Sequence, residues 1–137
     1  MERIIILILL LFLLLPPICS VKAQGVEIDL STLITSQNVK YQDCNKIFNI
    51  DNVTLFHMTI AAISANRFTI DEIQSKSGYI LFTAVNKQFL ATVLNVNTKQ
   101  GLLRITPADG NYYFQPGIIS NIFKYIEMNK NDKIQNL

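Results

Sequence analysis

Histidine and cysteine are scarce: the chain has one histidine, His57, and two cysteines, Cys19 and Cys44. A small domain stapled by disulfides needs several cysteines, so this one must rely on an apolar core. A single histidine with no Cys/His cluster beside it supplies neither the ligand set of a zinc site nor a nucleophile–base pair. There is no GxSxG elbow, glycine-rich phosphate loop, HExxH helix or CxxC pair. Charge is nearly balanced, with 12 basic against 10 acidic residues, so nothing marks nucleic acid as a partner. These absences predict a non-enzymatic protein without cofactor or metal.

What is present begins with a leader. Met1-Glu2-Arg3 precedes twelve unbroken apolar residues, Ile4 to Leu15, and then come Pro16-Pro17 and a Val21-Lys22-Ala23 ending. This order of charged start, apolar run and small residues predicts a signal peptide over 1–23, cleaved before Gln24. A membrane-spanning helix needs roughly 20 apolar residues, and the prolines stop this run short. Cys19 follows Pro16, Pro17 and Ile18 rather than the small residue a lipidation signal requires. Membrane attachment would therefore come only through an uncleaved leader or a lipid at Cys19. The rest is expected in the periplasm, the cell envelope or the medium. The leader holds two of the 12 basic and one of the 10 acidic residues, so the remainder carries a formal charge of +1. Cys44 is then unpaired, and its neighbours Asp43, Asn45 and Lys46 suggest a loop.

Residues 24–50 read as an arm with one or two short strands, since Val26, Ile28 and Leu30 alternate with polar residues. Asp51 is a good N-cap, and Val53, Phe56, Ile60 and Ile63 form an apolar stripe, which predicts a helix over 52–65 ending with Asn66 in the left-handed region. The period then becomes twofold. Phe68 and Ile70 start a strand, Ser75 to Gly78 turn, and Tyr79 to Val85 follow with Ile80, Phe82 and Ala84 on one face. Asn86-Lys87 suits a hairpin into Phe89–Val96, and Thr98 to Gly101 turns into Leu102–Thr106, ended by Pro107 or confined by it to an edge. After the Asp109-Gly110-Asn111 turn and the aromatic Tyr112-Tyr113-Phe114, Pro116 opens a second helix with Ile119, Ile122, Phe123 and Ile126 inward. The expected fold is α+β in two layers: a four-stranded antiparallel meander flanked by an N-terminal and a C-terminal helix, over 51–129, with a flexible tail at 130–137.

Candidate sites are few. His57 falls at the edge of the helical stripe and suits a structural role. Asp71 and Glu72 are adjacent in a strand, so their side chains should take opposite faces and cannot flank one bond. Asp109 reads as a turn residue, and Asn52-Val53-Thr54 is a glycosylation sequon whose place at a helix start favours a structural use. Tyr112, Tyr113 and Phe114 are the candidate partner-binding residues, because aromatic side chains anchor interfaces.

The cadence from Phe56 to Tyr125, carried by Asn66 to Ile70 and Gly78 to Phe82, resembles small extracytoplasmic helix-plus-meander domains of bacterial envelope lipoproteins, including repeats of the outer-membrane assembly accessory lipoproteins. That resemblance implies an envelope or extracellular protein as partner, although the chain lacks their lipidation signal. The expected function is a non-catalytic envelope or secreted binding or structural domain. The alternatives are a carrier holding a small apolar ligand between helix and sheet, and a hydrolase.

Overall fold

The computed structural model describes residues 31–131. The leader, Cys19, the alternating Val26–Leu30 segment and most of the tail lie outside the described residues. In chain order come a short helix α1 (Ser31–Ile34), strand β1 (Gln37–Asn38), a 3-10 turn (Tyr41–Cys44), β2 (Asn45–Phe48) and helix α2 (Asn52–Ala65). Then follow β3 (Thr69–Gln74), β4 (Tyr79–Ala84), β5 (Lys87–Asn97), β6 (Gln100–Pro107), β7 (Tyr113–Phe114) and helix α3 (Gly117–Asn129). The protein is α+β, and no described helix is long and apolar enough to cross a membrane.

Asp51 caps α2 as expected: its Oδ1 accepts from the Thr54 backbone N–H at 2.9 Å and its Oδ2 from the Thr54 hydroxyl at 2.7 Å. The inward face differs from the expected stripe. Leu55, Phe56, Thr59, Ala62 and Ile63 are buried, whereas Val53 is 62% exposed. Thr59 is tolerated inside because its hydroxyl donates to the Leu55 carbonyl at 2.7 Å. The helix end also differs by one residue. Asn66 stays at φ −80°, and Arg67 takes the left-handed conformation at φ 60°. The Arg67 N–H then reaches the Ser64 carbonyl and the Phe68 N–H the Ile63 carbonyl, the paired bonds of a Schellman ending.

The main sheet has five strands, in the order β2-β6-β5-β4-β3, all antiparallel. The expected meander is β3 to β6, and the added strand is β2, drawn from the presumed arm. It pairs along β6 from Asn45↔Arg104 to Phe48↔Gly101. Four residues starting Asn45-Lys46 carry too little alternation to announce a strand; β2 exists because β6 offers it an edge. Lys46 fastens it further, reaching Glu127 on α3 at 3.6 Å. A second, two-stranded ribbon joins β1 to β7.

The turns explain the register. Gly78 has φ +70°, and a Cβ there would stand 2.9 Å from the Val93 carbonyl oxygen, so glycine is required on both counts. The next hairpin turns on Val85 and Asn86, at φ 47° and 61°, one residue earlier than Asn86-Lys87. Pro107 is the last residue of β6, opposite Phe89. It ends the strand, and β6 is interior, flanked by β2 and β5.

Helices α2 and α3 cover one face of the sheet. Phe48, Ile80, Phe82, Phe89, Leu103 and Ile105 meet Leu55, Ile63, Ile118, Ile122 and Ile126 in one buried cluster. Aromatic rings run through it: Phe68 stacks on Phe82 at 6.1 Å, Phe82 on Phe89 at 5.6 Å, and Phe48 meets Phe123 edge-on at 5.9 Å. The other face projects Ile47, Tyr79, Leu81, Leu90, Leu94 and Leu102, none of which is buried.

Candidate docking surface

The aromatic triplet after the last long strand divides three ways. Phe114 is 1% exposed and belongs to the core, whereas Tyr113, its neighbour, is 56% exposed. Of the three aromatics expected to bind a partner, Phe114 is thus turned inward by alternation along β7 and gives no exposed surface. Tyr112 is half-buried and meets Tyr41 edge to face at 6.2 Å. The segment is held by its turn: Asp109 Oδ1 accepts from the Asn111 N–H at 2.8 Å, and Asn111 Oδ1 accepts from the Tyr113 N–H at 3.1 Å. Lys87 Nζ clamps the same turn, donating to the Asn111 carbonyl at 2.7 Å with Asp109 Oδ1 at 3.3 Å. The Asn111 N–H, with help from Lys87, holds the Asp109 carboxyl below its ordinary range. Asp109 acts as a turn residue.

Beside Tyr112 lies a cluster that sequence reasoning missed. Arg104, on the face of β6 opposite α2 and α3, donates from Nε to Asn45 Oδ1 at 2.7 Å, and its guanidinium stands 5.6 Å from the Tyr41 ring centroid. Asn45 in turn donates from Nδ2 to the Tyr41 carbonyl at 2.7 Å. The Tyr112 hydroxyl is pushed above its ordinary pKa by burial first and then by Cys44 and Tyr41, with Arg104 pulling it the other way. Pairing of β2 with β6 brings Asn45 and Tyr41 to Arg104, and the Val39 N–H, donating to the Tyr112 carbonyl at 2.8 Å, brings Tyr112 to the same corner. No local signal links positions 41, 45, 104 and 112.

Along the same face the register builds an apolar patch. Leu81 stands opposite Leu90, Leu94 opposite Leu102, and Leu102 opposite Ile47, while Tyr79, Thr92 and Arg104 form a row between them. Asp71 and Glu72 join its rim, contrary to the strict alternation expected of them. The pairing jumps from Ile70↔Phe82 to Glu72↔Leu81, so Asp71 is an extra residue in a bulge and both carboxylates turn to the open face. Asp71 Oδ2 accepts from the Thr83 hydroxyl at 2.6 Å and from Gln88 Nε2 at 3.2 Å. Glu72 Oε1 accepts from the Tyr79 hydroxyl at 3.0 Å and from Gln74 Nε2 at 2.8 Å. Each is engaged in its own hydrogen bonds on an exposed surface. The spacing Phe68, Ile70, Ile73 was the available sign, since a step of three breaks the period of two.

His57 is exposed on α2, at the rim of a cleft of about 130 Å³ that Phe56, Gly78 and Val93 also line. Ligand pockets start near roughly 300 Å³. A depression of about 350 Å³ lies between Asn86–Gln88 and Ala108–Asp109, at the hairpin ends rather than between helix and sheet. Cys44, expected in a loop, is fully buried at the end of the 3-10 turn, where its thiol donates to the Lys40 carbonyl at 3.6 Å. Burial, then the charge of Asp43, pushes that thiol up to about 11. Among the described residues no three His, Cys, Asp or Glu side chains gather as a metal site would require. Compared with models of known families and with curated proteins, the chain matches none.

Proposed function

We propose that this protein is an exported, non-catalytic module that docks an envelope or extracellular protein on the open face of its sheet. The observation that carries this reading is the set of Ile47 and Leu94, exposed, with Leu81, Leu90 and Leu102, half-buried, on the sheet face opposite the one that α2 and α3 fill. Folding does not need leucines on a solvated face, and two apolar rows flanking the row of Tyr79, Thr92 and Arg104 offer a partner both apolar area and a polar contact between them. Export rests on the leader-like start. The carrier alternative finds less support, because the cleft beside α2 measures about 130 Å³.

The test is substitution on that face. Leu81→Glu and Leu90→Glu should leave the circular dichroism spectrum and denaturant midpoint nearly unchanged, because both side chains point away from the core. Each should lower recovery of the cross-linked partner from the envelope fraction by about tenfold or more, the loss typical of an interface anchor. Undiminished recovery with both variants would overturn the reading.

A further inference from the structure

We propose that Arg104 is a carboxylate-binding subsite of the open face, taking an aspartate or glutamate of an extended protein segment whose flanking apolar residues lie on Leu102 to one side and on Leu90, beside Thr106, to the other. This rests on the docking reading above and names the partner's chemistry.

The first ground is an unmatched charge. Arg104 forms no ion pair among the described residues, whose ion pairs are Lys46–Glu127, Lys87–Asp109 and Lys130–Glu127. Asp43 lies in the adjoining 3-10 turn without pairing with it, and Asp71 and Glu72 stand three strand spacings away, roughly 14 Å, bound to their own donors. The second ground is preorganisation. Asn45 holds Nε and the Tyr41 ring lies alongside the guanidinium, so its orientation is set while its two Nη groups have no hydrogen-bond partner in the described structure. An arginine fixed in this way loses little entropy on binding and offers two parallel N–H donors, the geometry a carboxylate accepts.

The third ground is the surroundings. On β6, Arg104 sits between Leu102 and Thr106, with Thr92 opposite on β5, and Thr106 is paired with Leu90. A lone cation between apolar rows suits a singly charged carboxylate; a phosphate calls for several cations. Along a strand, same-face residues recur every second position, about 6.8 Å apart. A partner strand reading apolar, any residue, acidic, any residue, apolar would match that spacing.

The experiment uses the full-length chain, isotope-labelled, with two blocked pentapeptides: leucine-threonine-glutamate-threonine-leucine and its glutamine counterpart. The expected result is a saturable shift of the Arg104 side-chain Nε–H resonance by the glutamate peptide, bound about fivefold or more tightly than the glutamine one, as for a single charge-assisted contact. Arg104→Gln should remove that preference, and Arg104→Lys, which keeps the charge, should retain part of it. Equal affinity for both peptides, no binding of either at millimolar concentration, or tighter binding of inorganic phosphate would each overturn the proposal. Leu90→Glu separates the two readings. If glutamate preference disappears in Arg104→Gln while Leu90→Glu binds normally, the subsite stands and the leucine face falls. If Leu90→Glu abolishes binding of both peptides and Arg104→Gln changes nothing, the face stands and the subsite falls.

Discussion

The ring of Phe114 meets the ring of Phe89 edge to face, with centroids 5.0 Å apart and planes 79° apart. That contact sews the short β7 strand into the core and determines what its neighbours do. Phe114→Ala is expected to destabilise by about 3 to 5 kcal/mol, the cost of emptying a buried aromatic site. Tyr113→Ala, one residue away and exposed, should stay within about 0.5 kcal/mol. Denaturant midpoints of the two variants check the assignment; equal losses would show that the inward residue is misassigned.

The Asp51 cap should be visible in pH dependence. Its carboxyl is held below its ordinary value, first by the Thr54 backbone N–H and then by the Thr54 hydroxyl. A depressed folded pKa means stability that is present above the unfolded value and lost as pH falls through the folded one. Asp51→Ala should therefore cost about 1 kcal/mol at neutral pH, with the gap to the parent narrowing below about pH 4. Asp51→Asn should retain much of the cap and lose that pH dependence. A gap that is constant from neutral to acid would argue against the charged cap.

Cys44 should be chemically quiet. Its thiol rises from an ordinary 9.0 to about 11 in the folded protein. Two pH units lower the thiolate population about 100-fold at neutral pH, before counting the shielding of a fully buried sulfur. Iodoacetamide should label the native chain at least about 100-fold more slowly than the urea-unfolded chain, after correction for any label at Cys19. Rapid labelling of native Cys44 would show that the 3-10 turn opens readily.

Local chemistry made much of this fold readable. The Asp51 cap, the shared face of Ile80, Phe82 and Ala84, and the glycine at position 78 each follow from interactions within a few residues, so helix α2 and the meander β3 to β6 were expected nearly where they lie. The sequence reading slipped by one residue at Arg67 and Val85: a left-handed helix end and a tight hairpin turn are both present, each starting one position from where it was expected. The Asp71 bulge was half legible, through the step of three from Ile70 to Ile73.

What the sequence by itself determined is therefore the set of elements whose stabilising interactions are local: caps, turns and strands with an apolar period of two. Only the tertiary structure decided which way α2 faces, whether Asn45–Phe48 is a strand, and what stands beside Arg104. Val53 and Leu55 are equally apolar, and it is the packing against β6, with the Leu55 side chain over Gly101, that selects Leu55 for the core. Strand β2 and the Tyr41, Asn45, Arg104 and Tyr112 corner depend on hydrogen bonds and ring contacts between residues some sixty positions apart. Such contacts leave no periodic trace in either segment, because each half acquires its meaning only when the other is in place.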